Sequence, residues 1–381
     1  MDNCSGYGVV PRISAPELYP VSIGGAIVRQ SNGDDQLMNS LVFLNAGIGV
    51  SAIQTSTARK VLPSAVEIAW FSFTEKRAFY AECWLNEKHI ARLLNDGYRL
   101  VNGSKGYYSH FDIALFPGGR IAFYLSGDER MRLVEMYNAK DADLPVSVFA
   151  QDSGFEDYEE FAEAFIRGDE CNDSNNDDND DGGDNDECAV DSDDGGSHFD
   201  FKDDTKAAWV ENLIKNGVDY PLIELYFKRY MYGVAIEFKM YEDSLSAGGL
   251  DEMVLSVEFS NGEFSKYKGN VIPYDNYGII KSLSFEYELA DRSVLCDIYF
   301  DIRELATAFS LADDSSQGQI QSHGNNNSHS HNNTLHLNFD SVKWAVTAQL
   351  ANENGCCNIE RLRYRVAEYK DGRTVLKGGN C

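Results

Sequence analysis

The sequence predicts an α+β protein of two related lobes. Each lobe is expected to be a mainly antiparallel sheet with a strand–strand–helix unit, and long acidic and Ser/Asn/His-rich loops are added. Three observations predict this. Residues 66–95 and 281–310 align without a gap, which sets Trp70 on Phe285, Arg77 on Arg292, Glu82 on Asp297, Trp84 on Tyr299, Asn86 on Asp301 and Ile90 on Leu305. Within each copy apolar residues alternate at a period of two and then recur at helical spacing. The chain also holds 21 Tyr and 21 Phe, and aromatic side chains suit a half-buried pleated surface. The predicted domains are an N-terminal lobe at 1–150, a helix with an acidic loop at 151–204, and a C-terminal lobe at 205–381 with a low-complexity loop at 313–333.

In chain order, residues 19–29 and 41–53 read as strands, with Gly24-Gly25 and Asn32-Gly33 as turn signals. The first repeat follows. Phe79, Ala81, Cys83 and Leu85 alternate with Tyr80, Glu82 and Trp84, and in the second copy Val294, Cys296, Ile298 and Phe300 alternate with Leu295, Asp297 and Tyr299. One face should meet the core, and the other sets a carboxylate beside an aromatic ring. Asn86 and Asp301 are suited to cap the helix that follows, because each side-chain oxygen can accept from a free backbone N–H. Residues 111–116 and 120–125 form a predicted hairpin around Pro117-Gly118-Gly119.

Residues 156–167 read as an amphipathic helix, and 205–215 also read as a helix. Residues 221–241 are aromatic-rich, with a strand at 233–240, and 253–259 alternates as a strand. After the second repeat, 335–350 is strand-like. A final strand at 359–369 puts Arg361, Arg363 and Arg365 on one side and Leu362, Tyr364 and Val366 on the other. Phe111-Asp112 and Phe339-Asp340 each precede later strands, which suggests that the repetition extends beyond the helix.

The net charge of −28 is uneven, because about half of it lies at 169–204 with Lys202 as the sole basic residue there. So acidic a chain does not engage nucleic acid through phosphates. It suits a basic protein partner with steered association. The stretch at 169–204 is Asp/Asn/Gly-rich and cannot bury enough apolar surface to offset ordering, so it reads as a solvated loop. No apolar run is long enough to span a membrane. The first residues show no basic-then-apolar pattern, so no export signal is read there. The chain is expected to be either cytoplasmic or a mature form whose export signal was removed. Cys83 and Cys296 are expected inside, Cys171 and Cys188 bracket the acidic loop, and Cys356-Cys357 are poorly placed to bridge each other.

Candidate chemistry is sparse. Asp177, Asn179 and Asp181-Gly182 match the first half of a calcium loop, but Cys188 stands where the bidentate Glu belongs and Glu187 is one residue early. The expected cofactor is therefore none, with Ca2+ as the alternative. His323, His329, His331 and His336 lie in or beside the second loop without a rigid support for a metal. No nucleophile elbow, phosphate loop or dinucleotide fingerprint is present. His110 beside Phe111-Asp112 would need a partner to act as a base.

The segment Val66-Glu-Ile-Ala-Trp-Phe-Ser-Phe-Thr-Glu-Lys-Arg-Ala-Phe-Tyr, and later Phe111-Asp-Ile-Ala-Leu-Phe-Pro-Gly-Gly-Arg-Ile-Ala-Phe-Tyr-Leu-Ser-Gly, resemble a bacterial domain-of-unknown-function family, number 2931. The likeness covers about the first 140 residues and includes Tyr19-Pro20. Members of that family are mostly described as lipoproteins, and their genes occur near type VI secretion effectors, including phospholipases. The resemblance carries no catalytic residues with it. It implies an immunity protein, periplasmic or envelope-associated if an export signal was removed; read as non-enzymatic, it would occlude the active surface of a cognate effector, and the acidic charge suits a basic one. The partner-binding residues expected are Glu82, Trp84, Asp297 and Tyr299 on the sheet face, with Pro117, Gly118 and Gly119 at the hairpin tip. The alternatives are a calcium-binding envelope protein, using Asp177, Asn179, Asp181 and Glu187, and a hydrolase with an unrecognised carboxylate site.

Overall fold

Side chains that alternate at a period of two build three large sheets. The structure is a computed structural model and describes residues 9–30, 33, 35–38, 43–44, 47–48, 53–54, 62–150, 154–167, 203–239, 252–289, 292–317, 333–352, 355–370 and 373–380. The first strands in chain order are β1 (Val10–Ser14), β2 (Val21–Gln30), β3 (Asp35–Met38), β4 (Phe43–Leu44), β5 (Ile53–Gln54), β6 (Pro63–Ser72) and β7 (Arg77–Trp84). Next come β8 (Tyr98–Arg99), β9 (Lys105–Gly106), β10 (His110–Phe116), β11 (Arg120–Gly127), β12 (Arg130–Asn138) and β13 (Lys140–Asp141). The second half supplies β14 (Arg229–Lys239), β15 (Val254–Phe259), β16 (Phe264–Lys268), β17 (Val271–Gly278), β18 (Ile280–Leu289) and β19 (Arg292–Phe300). It ends with β20 (Asn333–Asp340), β21 (Ala345–Asn352), β22 (Gly355–Ile359), β23 (Leu362–Lys370) and β24 (Arg373–Gly379). The helices are α1 (Glu87–Asp96), α2 (Tyr158–Arg167), α3 (Asp203–Asn216), α4 (Tyr220–Tyr226) and α5 (Ile302–Gln317).

An eleven-stranded sheet runs β24-β23-β19-β18-β15-β16-β12-β11-β10-β1-β5. A six-stranded sheet runs β13-β7-β6-β2-β3, with β4 also on β2, and a five-stranded sheet runs β17-β14-β20-β21-β22. The chain is α+β with mainly antiparallel pairing. The eleven-stranded sheet passes from one half of the sequence to the other where β12 pairs with β16 at Arg130↔Ser265 and Met131↔Phe264. The largest sheet is therefore built by both halves.

Each end of that sheet covers a core. Phe111, Ile113, Phe123 and Leu125 pack with Ile68, Trp70, Phe79 and Cys83 of the six-stranded sheet, together with Ile90, Leu93 and Leu94 of α1. At the other end Leu255, Phe285, Cys296 and Ile298 pack with Val234, Leu335, Leu337 and Leu350, together with Leu305 and Phe309 of α5. Burial of these side chains supplies the main driving force for both cores. Cys83 and Cys296 are inside as expected, and burial pushes the Cys83 thiol up to about 12.

Both repeats form strand, strand, cap, helix. Asn86 Oδ1 accepts from the His89 N–H at 3.1 Å, and Asp301 Oδ1 accepts from the Glu304 N–H at 2.9 Å. The hairpins differ by one two-residue step. Ser72 pairs with Arg77 across a four-residue turn, whereas Leu289 pairs with Arg292. Strand faces have a period of two, so this step leaves every side chain on its own side. The pairings around the repeats also recur: β1 runs parallel to β10 as β14 does to β20, and β2 pairs with β6 as β15 does with β18.

Several expectations need correction. Gly24-Gly25 is not a turn but a bulge inside β2, opposite Ala69 and Trp70. A Cβ at Gly24 would lie 2.6 Å from Val148 and 2.7 Å from Phe149, so glycine is required by close packing. The aromatic-rich stretch begins with α4, capped by Asp219 and started with Pro at its first turn. Residues 335–350 fold as β20 and β21 around a four-residue turn, and the final strand is flanked by β22 and β24. Helix α5 runs to Gln317, into the region expected to be loop. The expected strand at 41–53 falls mostly outside the described residues.

Candidate functional site

The six-stranded sheet buries most of one face, with Arg77 and Asp141 exposed at its edge, and less of the other. Phe71, Phe73 and Ala78 of its second face are covered by Phe149, Phe161 and Ile214. Farther along β6 and β7 that cover ends. Cross-strand register then arranges the open part in three rows. Asp35, Arg29, Ala65 and Trp84 form one, and Leu37, Ile27, Glu67 and Glu82 the next. Gly25, Ala69, Tyr80 and Lys140 form the third. With strands about 4.8 Å apart and about 6.8 Å between like-facing residues, the grid measures roughly 14 Å on a side.

Large apolar groups stand open on it. Leu37 is 73% exposed, Trp84 64% and Tyr80 38%. Arg29 donates to Glu67 Oε2 at 2.5 Å, and the Tyr80 hydroxyl donates to Glu67 Oε1 at 2.9 Å. These two bonds hold the Glu67 carboxyl below its ordinary range, and the same bond raises the Tyr80 hydroxyl. The backbone beneath Trp84 is pinned. The Tyr137 hydroxyl donates to the Trp84 carbonyl, the Leu85 N–H donates to the Ser64 carbonyl at 2.8 Å, and the Asn86 N–H donates to Glu135 Oε2 at 3.1 Å. A large aromatic group on a fixed strand loses little freedom when a partner covers it.

The structure separates the residues expected to form one binding face. Glu82 and Trp84 stand on the open grid, on β7. Asp297 and Tyr299 lie on β19 in the eleven-stranded sheet, where Asp297 is 3% exposed and in register with Arg365 of β23. The cause is strand position: β19 is flanked on both sides by long strands, whereas β7 meets only the two-residue β13 on one side.

The hairpin tip is also not a free surface. Pro117 and Gly119 are buried and Gly118 is exposed. The Gly118 N–H donates to Glu75 Oε1 at 2.9 Å, and the Tyr220 hydroxyl donates to the same oxygen at 2.7 Å. Arg120 pairs with Glu224 of α4 and sits 5.6 Å from the centre of the Phe227 ring. The tip therefore ties α4 to the first half of the chain.

Other polar clusters are structural in geometry. Arg12 Nε donates to Asp112 Oδ1 at 2.6 Å, its Nη2 donates to Ser126 Oγ at 2.9 Å, and Ser126 Oγ donates to Asp112 Oδ2. His110 has Ser109 Oγ at 2.8 Å from Nδ1, and burial together with Arg12 lowers its pKa. His336 faces Glu237 at 3.2 Å. A recess of about 210 Å³ is lined by Leu311, Ala312, Leu350, Asn352, Gly355, Cys356 and Cys357, without a carboxylate. Asp177, Asn179, Asp181 and Glu187, like Cys171, Cys188, His323, His329 and His331, lie outside the described residues.

Sequence reasoning found Glu82 and Trp84 but missed Arg29, Leu37 and Glu67. A single strand's alternation shows that two faces differ, not which part of a face is left uncovered. The signal that unites these residues is cross-strand register.

A family model described as "Protein of unknown function (DUF2931)" matches residues 10–213. That span covers more than half of the chain, and the chain belongs to this family. No curated protein and no solved structure matches it.

Proposed function

We propose that this chain, a member of the DUF2931 family, is a non-enzymatic binding protein: an immunity protein that neutralises a type VI secretion effector, of the kind that includes phospholipases, by covering its active surface. The observation that carries the reading is the open grid on the six-stranded sheet. Exposed Trp and Tyr on a rigid backbone are the residue types that dominate binding energy at interfaces. A stable interface needs about 800 Å² on each partner, so the grid would be its centre rather than its whole. The net charge of −28 favours fast encounter with a basic partner. Action would take place in the periplasm or at the envelope, against an effector delivered there.

The test is co-expression with the product of the neighbouring gene. The wild-type chain is expected to co-purify with that product and to protect cells from it. A Leu37→Ala/Tyr80→Ala/Trp84→Ala variant that stays folded should lose both. Full protection by that triple variant would rule out the grid.

A further inference from the structure

We infer that the grid carries a slot for one basic side chain of the partner, formed by Glu82 between Tyr80 and Trp84. The inference rests on the binding role proposed above and specifies its chemistry. Glu67 and Glu82 are directly paired across β6 and β7 on an open face, and like charges in that position destabilise a sheet. Glu67 is compensated by Arg29 and Tyr80. Glu82 is exposed and forms no hydrogen bond or ion pair among the described residues; the Arg29 charge acts on it only from beyond ion-pair distance. Lys140 shares this face opposite Tyr80 and also forms no ion pair with Glu82 among the described residues.

The geometry around Glu82 is that of a cation site. Tyr80, Glu82 and Trp84 alternate along one strand, so they project from the same side with about 6.8 Å between successive residues. A guanidinium or ammonium group above Glu82 would meet the carboxylate directly and an aromatic ring on each side. An exposed ion pair and a cation over an exposed ring each add modestly to such a contact. The approaching cation would also relieve the Glu67–Glu82 repulsion. An uncharged group would leave that repulsion in place and remove water from Glu82 without replacing its hydrogen bonds.

The test uses the full-length protein and a small probe, Nα-acetyl-arginine amide, with Nα-acetyl-norleucine amide as its uncharged counterpart. The readout is the Trp84 indole N–H resonance, assigned by its loss in Trp84→Phe. The arginine amide is expected to shift this resonance saturably and more strongly than the norleucine amide. Glu82→Gln should weaken that response about two- to fivefold, with its circular dichroism unchanged. Equal responses to the two amides would overturn the slot. So would a response of undiminished strength in Glu82→Gln, because general attraction to an acidic surface would persist there. The assay contains no partner protein, so its failure leaves the binding role standing. Loss of partner binding in the triple variant addresses that role separately.

Discussion

Asp112 shows what a residue's neighbours add to its identity. It is fully buried, accepts from Arg12 and Ser126, and sits in the middle of an otherwise apolar stretch of β10. Removing one partner of a buried ion pair leaves the other without compensation, at about 3–5 kcal/mol. Asp112→Ala should therefore lower the urea midpoint strongly, whereas Glu82→Gln should leave it unchanged or raise it slightly. Glu67 gives a pH prediction. Its bonds to Arg29 and Tyr80 depress its pKa in the folded protein below the ordinary 4.5. The stability it contributes is fully present above pH 4.5 and is lost as pH falls through the lower folded value. Wild type should thus exceed Glu67→Gln in urea midpoint at pH 7, with the gap narrowing toward pH 3. The inward side chains of both repeats, Cys83 and Cys296 among them, were legible from alternation alone. The burial of Asp297 was not, because it depends on β23, which pairs with its strand from some seventy residues away.

Among the elements, the capped helices and the hairpin turn repay separate tests. Asn86 and Asp301 occupy the same position in the two repeats and make the same bond. Asn86→Ala and Asp301→Ala should each cost about 1 kcal/mol, measured by chemical denaturation. A large inequality between them would show that the helices are held by different means. In the β10–β11 turn, Gly119 has φ +67°, and a Cβ there would lie 2.8 Å from the Phe79 ring. Gly118 has φ +78° but meets its nearest neighbour, Tyr220, at 3.6 Å. Gly119→Ala should therefore lower the melting temperature more than Gly118→Ala, because it adds a clash to the same backbone strain. The sequence showed this turn and both repeat units, since local turn chemistry and periodicity are written in adjacent residues. It did not show the two-residue difference between the repeat hairpins, because a period-two pattern reads the same in either register. Nor did it show α4, whose aromatic residues suit strand and helix alike.

At the scale of the whole molecule, the α+β class was legible and the sheet plan was not. Strand order in an eleven-stranded sheet depends on pairings such as β12 with β16, which join residues more than a hundred positions apart. The proposed binding surface has the same origin. Leu37, Arg29, Glu67, Glu82 and Trp84 come from four strands and become neighbours only in the sheet. Beside the hairpin tip, expected to reach a partner, Tyr220 and Glu224 of α4 bond to Glu75 and Arg120, while Gly118 stays exposed. The central claim is that the chain acts by binding through the open part of the six-stranded sheet. Calorimetric titration of the neighbouring gene's product tests it most directly, comparing wild type with Trp84→Ala and with Leu376→Ala, an exposed residue on the edge strand β24. Trp84→Ala is expected to weaken binding roughly 30-fold or more, corresponding to about 2 kcal/mol, while Leu376→Ala binds like wild type. Wild-type affinity in Trp84→Ala, with the loss appearing in Leu376→Ala, would contradict it.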